Sequence, residues 1–205
     1  VNKIKVKICG IRTIEAAQTA VDAGADFLGF NFVRSSRRFI EPEKAREIIK
    51  KVKGKIPIVG VFQDEMLHKV NELIRFLELD LVQLHGNESD DYCHKVTTSV
   101  IKAFRFPAAM KQYNVAYYMI DREKQGQGEM VNLDKAAELA EKFPLFFSGG
   151  LTPENVAEVV NKVKPYAVDV ASGVETDGVQ DVKKIKVFVR RARLAAKRAK
   201  GKYGK

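Results

Sequence analysis

A thiol and a carboxyl group each close a short apolar run of this chain. Cys9 ends Val6-Lys7-Ile8-Cys9, and Asp121 ends Tyr118-Met119-Ile120-Asp121. If both runs are strands of one parallel barrel, their last residues face the same mouth, where catalytic groups of such barrels gather. A thiolate is a base and an undissociated carboxylic acid is a proton donor, so the pair would flank one ligand and move protons on either side of it. A free cysteine ionises near pH ~8.5, and lower beside positive charge. An ordinary aspartate ionises near pH ~3.9, so an apolar pocket or a nearby anion must hold Asp121 protonated at neutral pH. Each residue alone has a plainer reading: core packing for the cysteine, a helix cap or an ion pair for the aspartate.

Two glycine turns suggest an anion. Ser148-Gly149-Gly150 runs into Thr152-Pro153, which reads as a helix start, so backbone amides and a helix N-terminus can converge on a phosphate. Ser172-Gly173, in Asp169-Val170-Ala171-Ser172-Gly173-Val174-Glu175, adds a second small-residue turn where barrels commonly bind phosphate. The plainer reading makes both turns simple tight connections. Gln83 and His85 lie two residues apart and share one strand face, which suits them to shape a site. Asp169 reads as a hydrogen-bonded structural carboxylate and stays outside the catalytic set. His68, His94 and Cys93 fall in helical segments and have no expected catalytic role.

The elements that must position these groups alternate along the chain. Short, mostly continuous apolar runs at 5–10, 27–32, 56–62, 81–85, 100–106, 116–121, 145–148 and 167–171 read as buried parallel strands. Amphipathic segments at 13–23, 42–52, 64–77, 88–96, 132–142, 153–162 and 181 to about 200 read as the helices between and after them. The fifth gap, 108–114, offers barely two turns, so that unit has a short or missing helix. Eight units in this order predict an α/β fold, a single-domain (β/α)8 TIM barrel over 1–205. A doubly wound open sheet is the alternative, but no dinucleotide-type glycine fingerprint follows the first strand.

Composition narrows the partners. Lys and Arg outnumber Asp and Glu by 36 to 26, a net charge of +10. Eight of the basic residues lie in 190–205 with no acidic residue among them, so the excess is largely C-terminal, and 194–205 reads as a basic, fraying tail. Two distant cysteines form neither a disulfide framework nor a zinc spacing, and no 20-residue apolar span is present. The expectation is a cytoplasmic protein acting on a phosphorylated small molecule, with no metal, membrane or specific nucleic acid.

Five spaced motifs then carry a resemblance. Lys7-Ile8-Cys9-Gly10-Ile11, Gly29-Phe30 with Ser36-Arg37-Arg38, Val82-Gln83-Leu84-His85-Gly86, Ser148-Gly149-Gly150-Leu151 and Asp169 through Glu175 stand in family order. Over roughly residues 4–193 the chain resembles phosphoribosylanthranilate isomerase of tryptophan biosynthesis. The resemblance implies a cofactor-free Amadori rearrangement of N-(5-phosphoribosyl)anthranilate to 1-(2-carboxyphenylamino)-1-deoxyribulose 5-phosphate. It implies Asp121 as the acid that opens the furanose ring and Cys9 as the base that takes the C2' proton. It also implies that Arg38 binds near the anthranilate portion, with Gln83 and His85 beside the substrate. Gly126 and Gly128 would join Ser148, Gly149, Gly150, Ser172 and Gly173 around the phosphate.

The segment after Asp121, Arg122 to Leu133, departs from the family. Gly126 and Gly128 are kept, but Gln127 stands at a serine or threonine position, Val131 and Leu133 replace aromatics, and the chain has no tryptophan. Two other functions compete. One is another phosphate-binding sugar isomerase or epimerase barrel, although the histidine-pathway isomerase has an aspartate where Cys9 stands. The other is a polyanion-binding protein using the basic tail.

Overall fold

The structure is a computed structural model that describes residues 3–104, 110, 113–121 and 132–201. Eight parallel strands close into a barrel: β1 Lys5–Cys9, β2 Phe27–Asn31, β3 Ile58–Phe62, β4 Leu81–Leu84, β5 Ser99–Phe104, β6 Tyr117–Asp121, β7 Leu145–Ser148 and β8 Ala167–Val170. Each strand pairs with the next, and β8 returns to β1 with Lys7 opposite Asp169. The expected (β/α)8 TIM barrel is the observed fold.

Strand periodicity divides the core in two. One set of alternate residues, including Val6, Ile8, Leu28, Phe30, Val82 and Phe147, packs outward with the helices. The other set faces the barrel axis, where Phe27, Val59, Leu81, Ile101, Met119, Phe146 and Ala167 form a separate apolar cluster. One step further along the same faces come Lys7, Gly29, Gln83, Asp121, Ser148 and Asp169. The interior thus changes from an apolar floor to a polar mouth within one strand repeat.

The helices around the barrel are α1 Ile14–Asp22, α2 Pro42–Val52, α3 Leu67–Leu77, α4 Asp90–His94, α5 Leu133–Ala140, α6 Val156–Val163 and α7 Val182–Gly201. Apolar spacing explains their docking: α2 buries Ala45, Ile48, Ile49 and Val52, and α6 buries Val156, Val159, Val160 and Val163, a single stripe in each case. Each valine or isoleucine among them contributes about 1.5–3 kcal/mol when fully buried. Thr13 caps α1 by accepting from the Ala16 amide at 3.1 Å, and Pro42 opens α2 at the position where its missing N–H costs nothing. No α-helix occurs among the described residues between β5 and β6.

Three local outcomes differ from the sequence expectation. α6 begins at Val156 rather than Pro153, because Asn155 is bonded back to the Thr152 amide and the Gly150 carbonyl, both at 2.8 Å, and Thr152 Oγ1 accepts from the Glu154 amide. Those side-chain bonds hold 152–155 in a turn. α4 is five residues long, not nine. Glu88 is drawn out of it to accept from the Asp64 and Gly86 amides and to pair with Lys102 at 3.1 Å, both side chains being buried. Finally, β8 is followed by a 3-10 turn, Ser172–Val174, and a small hairpin of β9 Glu175–Thr176 and β10 Val179–Gln180. Asp177 and Gly178 link its strands with positive φ of 52° and 76°, the conformation a two-residue hairpin loop demands.

Candidate active site

One cavity opens at the C-terminal mouth of the barrel. Cys9, Arg38, Gln83, His85, Asp121, Ser148, Gly149, Gly150 and Ser172 all line it, together with Asn31 and Asp169. Nine of the twelve residues singled out from the sequence therefore share one space. Gly126 and Gly128 lie outside the described residues. Gly173 is not a wall of the cavity. A Cβ on it would sit 1.8 Å from the Leu151 carbonyl oxygen, so its lack of a side chain lets the two small-residue turns touch.

Cys9 is buried beside a buried cation. Lys7 is fully inaccessible and its ammonium donates to Asp169 Oδ1 at 2.9 Å and to Gln83 Oε1 at 2.8 Å. Burial works to lower the Lys7 pKa, but Asp169 and Cys9 outweigh it and hold it above the usual lysine range. Burial pushes the Cys9 thiol up. Lys7 pulls it down, Asp169 pushes it up, Arg38 pulls it down, and the balance stays above the ordinary cysteine value. Positive charge alone predicted a lowered thiol; desolvation, not visible in the sequence, reverses the net direction. Gly29, opposite Cys9 on β2, makes room: a Cβ there would lie 2.8 Å from Cys9 Sγ and 3.1 Å from Lys7 Nζ.

Asp121 faces a hydrogen-bonding partner rather than an apolar wall. Its Oδ2 lies 2.8 Å from His85 Nε2, and His85 Nδ1 is 3.0 Å from Gln83 Nε2. Gln83 and His85 do share a face, as their spacing implied, and they bridge the mouth from Lys7 to Asp121.

Arg38 is held from behind. Glu175, buried at the start of β9, accepts from Arg38 Nε at 2.7 Å and from Nη2 at 3.0 Å, a two-pronged pairing that fixes the guanidinium plane, and it also pairs with Arg37. Gly10 permits this placement, since a Cβ would come within 2.6 Å of Arg38 Cδ. Asn31 orders the loop between them by bonding the Val33 amide and Ser36, whose hydroxyl accepts from the Arg38 amide.

Sequence reasoning passed over Lys7, Asn31 and Glu175. For Lys7 a signal existed: a charged residue two positions before Cys9 in an apolar strand must share its inward face. Among the described residues no group of three or more His, Cys, Asp or Glu side chains is arranged to hold a metal ion, and no helix is long and apolar enough to cross a membrane.

Comparison with known proteins gives a consistent answer. The family profile for N-(5'phosphoribosyl)anthranilate (PRA) isomerase matches residues 6–191. An N-(5'-phosphoribosyl)anthranilate isomerase of Geotalea uraniireducens is 46% identical over 200 residues, covering 92% of this chain and 98% of the relative. Monomers generated from the dimeric isomerase of Thermotoga maritima superpose with a TM-score of 0.81 at 34% identity, covering 92% of this chain and 98% of that one. A phosphoribosyl anthranilate isomerase in complex with reduced 1-(o-carboxyphenylamino)-1-deoxyribulose 5-phosphate gives the same TM-score, identity and coverage. With most of its length matched, and with a (β/α)8 barrel whose polar mouth carries the family's motifs, the chain belongs to the N-(5'-phosphoribosyl)anthranilate isomerase family.

Proposed function

We propose that this protein catalyses the Amadori rearrangement of N-(5-phosphoribosyl)anthranilate to 1-(2-carboxyphenylamino)-1-deoxyribulose 5-phosphate, a step of tryptophan biosynthesis. The observation that carries this reading is the shared cavity, with Cys9 on β1, Asp121 on β6 and glycine turns after β7 and β8. In the reaction Asp121 gives a proton to the furanose ring oxygen as the C1'–O bond breaks, and the aniline nitrogen lone pair forms the Schiff base. Cys9, as thiolate, takes the C2' proton, and the C–H electrons flow to the cationic nitrogen to give an enolamine. Ketonisation adds a proton at C1' and removes the 2'-hydroxyl proton, so substrate and product are isomers and both side chains return to their starting states. The iminium charge acidifies C2'–H, which offsets the cost of generating a thiolate in a buried site.

Arg38 pairs with the anthranilate carboxylate, its plane set by Glu175. Ser148, Gly149, Gly150 and Ser172 receive the phosphate, with Gly173 letting the two turns meet; Gly149 and Gly150 hold φ of 87° and 63°, and such glycine turns offer their amides to an anion. Gly126 and Gly128, outside the described residues, belong to the same phosphate-binding reading through the resemblance alone. An acid and a base suffice, with no cofactor in the scheme. The reading carries with it a single barrel domain over 1–205, a cytoplasmic location and assembly as monomer or homodimer.

Turnover of phosphoribosylanthranilate, followed by its fluorescence, tests the reading. Cys9→Ser and Asp121→Asn are each expected to lower kcat by about 10²–10⁴-fold, the usual worth of a positioned acid or base. Wild-type protein that binds the substrate without isomerising it overturns the activity, and unchanged rates in both variants overturn the assignment.

A further inference from the structure

Lys7 is the largest side chain sealed inside this barrel, yet it is not a wall of the cavity. Its bonds nevertheless reach across the mouth. An ammonium is a donor only, so the Gln83 group 2.8 Å from it must be the carbonyl oxygen. That choice turns the Gln83 NH2 toward His85 Nδ1 at 3.0 Å. An NH2 can only donate, so Nδ1 must accept, and the imidazole carries its proton on Nε2. Nε2 is the nitrogen 2.8 Å from Asp121.

We infer that Lys7 is a positioning residue for the acid half of the reaction: acting through Gln83, it locks His85 as the Nε2–H tautomer and aims that donor at Asp121. This rests on Asp121 being the acid of the isomerase reading. The chemistry gives the lock a purpose. With its lone pair on Nε2, His85 would take the proton from Asp121 and leave an imidazolium facing a carboxylate, with no acid for the ring oxygen. With Nε2–H, the imidazole cannot accept that proton, holds the carboxyl group in one orientation and stabilises the carboxylate formed when the proton leaves. A proton on Nδ1 would meet the N–H of Gln83 instead of an acceptor. The same ammonium stands beside Cys9, where it counters the burial of the thiol. One buried cation therefore serves both halves of the proton traffic.

The test reads the tautomer directly. In 15N-histidine-labelled protein, long-range 1H–15N spectra distinguish protonated from bare ring nitrogens. The chain has three histidines, and His85 is assigned by its loss in His85→Gln. Wild type is expected to show Nε2–H and a bare Nδ1. Gln83→Glu is nearly isosteric and keeps the acceptor for Lys7, but it sets a carboxylate oxygen against Nδ1. A proton should then appear on Nδ1 and kcat should fall by about 10²-fold or more with little change in KM. Lys7→Met paired with Asp169→Leu removes the donor without stranding a charge, and His85 should then populate both tautomers in a folded barrel. Wild-type turnover, measured first, is the check on the isomerase reading. The inference is overturned by wild-type His85 carrying its proton on Nδ1, by a tautomer indifferent to both variants, or by a switched tautomer that leaves kcat intact.

Discussion

At the scale of single residues, the site depends on atoms that are absent as much as on those present. Gly29 is the clearest instance, because any side chain there meets the sulfur of Cys9 and the ammonium of Lys7. Gly29→Ala is predicted to lower kcat/KM by at least about tenfold, equivalent to about 1.4 kcal/mol of transition-state stabilisation, while circular dichroism remains that of the wild type. An unimpaired Gly29→Ala enzyme would show that the thiol tolerates displacement. Cys9 also predicts a pH profile. Its folded-state pKa is raised, so the thiolate fraction, and with it kcat/KM, should still be increasing above pH ~8.5 where an ordinary cysteine is half ionised. Glu175→Gln should act differently. Losing the two-pronged charge partner loosens Arg38, so KM is expected to rise several-fold with kcat nearly unchanged, measured by steady-state turnover.

At the scale of elements, β2, β4, β6, β7 and β8 each deliver a floor residue and a mouth residue on one face, two positions apart. β1 and β8 are bound by more than their backbone ladder, because Lys7 and Asp169 stand opposite each other inside the barrel. Removing one member of a buried pair leaves an uncompensated charge, so Lys7→Met alone should destabilise the fold by about 3–5 kcal/mol, and adding Asp169→Leu should recover most of that loss. Urea unfolding of the two single variants and the double variant checks this; a double variant no more stable than Lys7→Met would refute the pairing. Outside the barrel wall, Lys102 and Glu88 do the corresponding work for the turn after β4. Lys102 also donates to the Gly86 carbonyl at 2.8 Å, which secures the chain immediately after His85. α4 gives up its first residues to make that anchor.

At the scale of the whole molecule, burial of acidic groups makes the fold sensitive to alkali. Burial pushes the Cys93 thiol from an ordinary 9.0 up to about 11, and Tyr92 and Tyr166 up to about 12. Groups with raised folded-state pKa values lend stability that is complete below their unfolded values and is lost as pH rises through the folded ones. The unfolding free energy should therefore decline from about pH 9 upward, and Cys93→Ala should flatten the portion between 9 and 11; equal slopes in the two proteins would remove Cys93 as a cause. Closure of the barrel explains what could be read in advance and what could not. The sequence by itself determined the eight alternating units, the strand-end positions of Cys9 and Asp121 and the shared face of Gln83 and His85, because hydrophobic periodicity and residue spacing are local properties of the chain. It also marked both glycine turns, but not that Asn155 would delay α6 or that Gly173 would be spent on contact with Leu151. Only the tertiary structure decided that burial outweighs Lys7 in raising the Cys9 thiol, that Glu175 clamps Arg38, and that Lys7 reaches Asp121 through Gln83 and His85. Desolvation and hydrogen-bond direction at Lys7 depend on Gln83 and Asp169, 76 and 162 residues away, which meet it only once β8 has closed on β1.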